Sequence, residues 1–122
     1  MLKEFLIVAS GSFFGGGCRY LFSQLSAHWF SNTLPWGTLL VNVLGCFFVG
    51  ILCGYAEKNT AMNSSLLLLL VTGFCGGFTT FSTFINESYG LMKSQFLLMI
   101  AYMTLNLVLG MLLFYVGRLI IR

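Results

Sequence analysis

The sequence predicts an all-α integral membrane protein of four transmembrane helices, the third of them broken. Three observations carry that expectation. Hydrophobic residues make up 58% of the chain and charged residues 7%, with a mean hydropathy of +0.94, against about 25% charged residues in an ordinary soluble domain. A crossing of a hydrocarbon core about 30 Å thick takes roughly 20 apolar residues as helix, so 122 residues hold about four crossings and little else. Finally, the run from Gly73 to Phe84 interrupts a lipid-compatible segment with glycines, hydroxyls and aromatic rings. Non-helical backbone survives at membrane depth only where protein buries it or it lines a polar cavity.

The first span is expected over residues 4–24. Lys3 precedes it, but the stretch is long and ends in Gly-Cys-Arg-Tyr without an A-x-A site, which reads as a span and not as a cleaved signal. A polar and aromatic connection, Ser26 to Pro35, follows and includes His28. Pro35, the sole proline, suits the start of a second helix over residues 36–55. Trp29, Trp36 and Tyr55 then fall near the membrane interfaces, where amphipathic rings concentrate. Residues 57–64 read as a short polar loop. The third span covers residues 65–89, with its break expected around Gly76 and Gly77, and the fourth covers residues 95–117 after a loop near Lys93. The whole chain, residues 1–122, is one four-helix membrane domain.

Four crossings put both termini on one side, with Lys3, Lys58, Arg118 and Arg122 there and Lys93 and Arg19 on the other. That bias is too slight for the positive-inside rule to fix one orientation. Small residues recur every four positions at Gly11 and Gly15, at Cys46, Gly50 and Gly54, and at Gly73 and Gly77. Helices in lipid associate by close packing, so these stripes predict a tight bundle that also dimerises.

Several function classes are weak from the start. The six basic residues form no run, which leaves nucleic-acid binding without a footprint. Cys18, Cys46, Cys53 and Cys75 form no C-x-x-C pair and sit in apolar segments, where they read as packing. The chain has no Asp, and Glu87 is the one acid well inside a predicted span, so no nucleophile, base and acid can be assembled into an enzyme.

The remaining polar groups fit ion passage. Asn42 is the deepest polar residue of the second helix, with Thr38 one turn before it; its amide reads either as glue between helices or as a donor facing an anion. Phe81 and Phe84, three apart, share a helical face, and their electropositive ring edges can help replace an anion's hydration. Thr79, Thr80, Ser82 and Thr83 surround them with hydroxyls. The glycines either permit a simple kink or free carbonyls near Gly76 to Thr79 to coordinate a hard cation such as Na+. One chain offers too few oxygens for that, whereas two chains meeting at their breaks supply a full shell. Arg19 reads as a helix-end anchor or as a charge that concentrates anions at a vestibule.

Taken together, the blocks Gly15 to Tyr20, Gly37 to Gly45 and Gly73 to Phe84 resemble the Fluc family of fluoride channels, also called the CrcB family. The resemblance covers essentially the whole chain, and the third block is the most specific. It implies a passive fluoride channel with two pores, assembled as an antiparallel, dual-topology homodimer in the bacterial cytoplasmic (inner) membrane. It also implies a structural Na+ held by the backbone carbonyls of Gly76 and Thr79 from each chain. Phe81, Phe84 and Asn42 would line the pores, assisted by Thr80, Ser82 and Thr83. The family often carries a polar track at i, i+4 and i+8 on the fourth helix, here Tyr102, Asn106 and Gly110, and Gly110 offers no side chain. Two other readings compete. A small dual-topology multidrug transporter needs a carboxylate within the first helix, where only Glu4 stands at its very start. A non-conducting membrane scaffold would leave the Thr-Thr-Phe-Ser-Thr-Phe cluster without a role.

Overall fold

A computed structural model describes residues 1–30 and 33–121. Ser31, Asn32 and Arg122 lie outside the described residues, and with them part of the expected first connection and the terminal positive charge. Among the described residues the structure is helical without strands, and four segments are long and apolar enough to cross a membrane: Leu2–Trp29, Trp36–Lys58, Ser64–Ser94 and Phe96–Ile120. We label the first two α1 and α2. The third crossing divides into α3 (residues 64–78) and α4 (Ser82–Ser94), and the fourth is α5 (Phe96–Ile120).

Every helix is longer than the sequence suggested. α1 runs on through Ser26 and His28, so His28 belongs to its last turn and not to a connection. At 1.5 Å per residue its 28 residues span about 42 Å, more than the hydrocarbon core, and the excess requires tilt or protrusion. Glu57 lies within α2, not in the loop that follows. Lys93 lies in the last turn of α4, and Gln95 alone separates that helix from α5. In each case the polar residues at a span's end continue the helix.

The third crossing carries the main departure. Asn63 caps its start by accepting from Ser65 N at 2.8 Å. After one α-helical turn, Leu68–Cys75 winds as a π-helix, and Gly76–Phe78 returns to α geometry. Gly76 itself is helical, at φ −62 and ψ −37. The break falls at Thr79, whose backbone is extended at φ −85 and ψ 160, and the helix resumes at Ser82. The break is therefore not at Gly76 and Gly77.

Those glycines serve a close approach instead. A Cβ at Gly77 would lie 2.8 Å from the Ser12 carbonyl oxygen, and one at Gly15 would run into the carbonyl of Phe74. The Gly11 and Gly15 stripe of α1 thus meets the Gly73 and Gly77 stripe of α3 backbone to backbone. Likewise Gly50 of α2 faces the Phe114 carbonyl, and Gly117 of α5 faces that of Phe47. The pairings α1 with α3 and α2 with α5 are the most extensive in the fold. The small-residue stripes are consumed inside one chain, as van der Waals packing in lipid demands. Leu39, Phe84 and Tyr102 form the buried centre between α2, α4 and α5.

Candidate functional site: a broken helix between two cavities

Asn42 organises the break. Its Oδ1 accepts from the backbone N–H of Thr80 at 2.8 Å, and its Nδ2 donates to the Thr80 carbonyl at 3.0 Å. The same Nδ2 donates to Asn106 Oδ1 on α5 at 3.1 Å. One amide on α2 thereby replaces the helical bonds that Thr80 gives up and ties the break to the fourth crossing. One turn along α2, Gly45 leaves room for the methyl of Thr79, which a Cβ there would strike. Thr79 keeps its own N–H and hydroxyl on the Cys75 carbonyl, both at 3.0 Å. Thr83 donates its N–H to Thr80 Oγ1 at 3.2 Å, which starts α4.

These bonds orient the carbonyls at the end of α3. The Thr80 N–H would donate to the Gly76 carbonyl in an unbroken α-helix, but it is turned toward Asn42. The Gly76 carbonyl has lost its i+4 donor, and the residue is exposed on the open side of the chain. Arg19 donates from Nε to the neighbouring Gly77 carbonyl at 3.1 Å.

Beside the break lies a cavity of about 290 Å³, bounded by Asn42, Asn106, Thr79, Thr80, Phe81 and Phe84, with Cys46 on its wall. A second cavity, about 470 Å³, opens among the ends of α1, α2 and α4, where Thr38, Glu87, Ser23, Ser26 and Ser94 make it polar. Tyr102 stands between the two. It is fully buried, and its hydroxyl donates to Glu87 Oε1 at 2.9 Å, while its backbone carbonyl accepts from Asn106 Nδ2 at 3.1 Å. A chain of polar groups thus leads from Glu87 through Tyr102 and Asn106 to Asn42 and Thr80, with the Tyr102 ring spanning the gap between its hydroxyl and its backbone carbonyl.

The aromatic rings follow that path. Phe84 is 4% exposed, with its ring centroid 5.4 Å from Tyr102 and 5.9 Å from Phe81. Phe81 is 71% exposed. The two phenylalanines are adjacent yet sit in different settings: one is packed in the core, the other borders the cavity on the outer surface of a single chain.

Most of the residues singled out in the sequence are brought together. Asn42, Thr79, Thr80, Phe81, Phe84 and Asn106 share one cavity wall, with Tyr102 behind it. Ser82 is exposed, Thr83 serves the start of α4, and Arg19 lines neither cavity. Gly110 is buried, and Cys46 Sγ lies 3.3 Å from where its Cβ would be, so the thiol covers the gap in the α5 track. Sequence reasoning left Cys46 and Glu87 without a place in the site. For Glu87 the signal was present, because an acid inside a span is costly and marks a polar cavity or pathway.

Comparison with known proteins bears on what this path serves. A family model described as "CrcB-like protein, Camphor Resistance (CrcB)" matches residues 6–118. The chain belongs to the CrcB family. It is 35% identical to the fluoride-specific ion channel FluC of Flavobacterium psychrophilum over 122 residues, covering 99% of this chain and 98% of that protein. It is 41% identical to the FluC of Prosthecochloris aestuarii over 118 residues, covering 96% and 91%. The FluC of Leptospira interrogans is 39% identical over 113 residues, with 88% and 86% covered. The CrcB match takes in all four crossings, the break and both cavities.

Proposed function

We propose that this chain is a fluoride-selective channel that lets fluoride leave the cell passively across the cytoplasmic membrane. The observation that carries the proposal is the polar path between two cavities, in a chain matched over nearly its full length to proteins named fluoride-specific ion channels. A small, strongly hydrated anion crosses a narrow passage only where donors and electropositive edges replace its water. The path offers amide donors at Asn42 and Asn106, a phenol at Tyr102 and the ring edges of Phe81 and Phe84. Asn42 has both Nδ2 donors engaged, so an anion beside it takes over one of those bonds in passing.

The working unit is a homodimer, antiparallel and with two pores. An exposed Phe81 at the rim of a cavity leaves that cavity short of a wall, and a second copy supplies it. A structural Na+ sits where the two breaks meet. The residues fit such an ion: the Gly76 carbonyl has lost its helical donor, its residue faces the open side, and carbonyl oxygens are the ligands a hard cation takes. The carbonyls of Gly76 and Thr79 from each of two chains would hold it.

The test is fluoride efflux from liposomes that contain only this purified chain. Fluoride efflux without chloride efflux is the expected result. A silent chain, correctly inserted, would overturn the proposal and favour a scaffold or a dimer completed by another protein.

A further inference from the structure

α1 grips α3 at two points. Ser12 and Arg19 are seven residues apart on α1, two turns along one face, and they donate to carbonyls one turn apart on α3. Ser12 Oγ reaches Gly73 O at 3.2 Å, and Arg19 Nε reaches Gly77 O at 3.1 Å. Between these points the backbones touch: a Cβ on Gly73 would lie 3.0 Å from the Val8 carbonyl oxygen, and one on Gly77 2.8 Å from that of Ser12. The seam is rigid because no side chain separates the helices, and it ends at the break.

At that end three consecutive carbonyls of α3 have different partners, the first still helical. Cys75 O takes the N–H and hydroxyl of Thr79. Gly77 O takes Arg19. Gly76 O, between them, has lost Thr80 to Asn42, and its residue is exposed. Successive carbonyls in a helix differ in direction by a fixed rotation, so pinning the two outer ones aims the middle one. A guanidinium also suits the negative pole of a helix end. Arg19 lines neither of the two cavities of the single chain.

We infer that Arg19 is a positioning residue: it caps α3 through the donor at Nε and so aims the Gly76 and Thr79 carbonyls at their ion. The inference rests on the proposed Na+ site, and its claim is that the placed donor matters more than the charge. Simple side-chain topology separates these. In Gln the amide nitrogen is four bonds from Cα, the same place as Nε in Arg, without the charge. In Lys a methylene occupies that place and the charge lies one bond further out.

The experiment measures fluoride efflux from liposomes for Arg19→Gln, Arg19→Lys and Arg19→Met. Arg19→Gln should stay near the parent rate, while Arg19→Lys and Arg19→Met fall by about tenfold, the equivalent of one hydrogen bond of about 1.4 kcal/mol. Parent-like flux in Arg19→Lys with loss in Arg19→Gln would overturn the cap in favour of the charge, and parent-like flux in all three would overturn it outright. If all three variants lose flux, thermal stability of the solubilised protein titrated with NaCl against an organic chloride decides. A midpoint shifted to higher Na+ in Arg19→Met and less so in Arg19→Gln supports the cap, and equal midpoints overturn it. A parent with no Na+ dependence would sink the Na+ reading separately, while the ranking of the variants would still judge the cap.

Discussion

Asn42→Ala is the sharpest perturbation available, because three hydrogen bonds that hold the break open end on one amide. Interhelical hydrogen bonds in membrane proteins average about 0.6 kcal/mol each, and bonds in buried sites generally contribute about 1 kcal/mol. Three of them therefore amount to roughly 2 to 3 kcal/mol favouring the open break, if they are additive. The freed Thr80 N–H has a specific alternative, the Gly76 carbonyl four residues back, and taking it would partly heal the helix and consume a carbonyl assigned to the ion. At 1.4 kcal/mol per factor of ten, the expected loss of fluoride flux is roughly 30- to 150-fold. The assay is fluoride efflux from liposomes followed with a fluoride electrode, with size-exclusion chromatography to confirm that the variant elutes as the parent does. Asn59→Ala is the control, since it removes only exposed bonds, one to Tyr55 Oη and one from the Ala61 N–H. An Asn42→Ala protein that elutes as the parent does and conducts within about twofold of it, well under one such bond, would refute the argument that this amide holds the break.

Three further outcomes are expected. Phe81→Ile and Phe84→Ile should each lower fluoride flux strongly, because an aliphatic chain keeps bulk and loses the electropositive edge, whereas Phe5→Ile on the exposed face of α1 should do little; flux equal to the parent in both would reject the pore lining. Of the two, Phe84→Ile should reduce stability more, by about 1 to 3 kcal/mol, since it removes ring contacts to both Tyr102 and Phe81 where Phe81→Ile removes one; equal thermal stability of the two variants would contradict this. Cysteines introduced near both termini should label from both faces of intact cells, and labelling from one face alone would reject mixed orientation.

Much of the fold was legible because lipid imposes one rule, internal satisfaction of backbone polar groups, and leaves length and apolarity as its record. The helix ends were less legible. Glu57, His28 and Lys93 are polar, and polarity marks where the hydrocarbon stops, not where the helix stops. The break was placed two to three residues too early for a related reason. Glycine permits both a kink and a close approach, and nothing in the sequence alone distinguishes them. The structure spends Gly73 and Gly77 on the approach of α1 and makes the break at Thr79, where Asn42, far away in the chain, takes the next N–H. The π-helical turns of Leu68–Cys75 had no local signal in a run of leucines.

The site was legible in its residue types and not in its connections. Hydroxyls, rings and amides stand out in an apolar chain because each costs free energy in lipid unless something satisfies it. Which of them meet is a tertiary matter. Asn106 was named as part of a track along α5, yet its side-chain oxygen faces across to α2, and Tyr102 joins that track to Glu87 on α4. The gap at Gly110 looked like a missing pore contact from one helix alone. Seen across the α2 and α5 contact it is a place where Cys46 fits, so a stripe that breaks off on one helix continues on its neighbour. A polar path through a membrane bundle is therefore a property of pairs of helices.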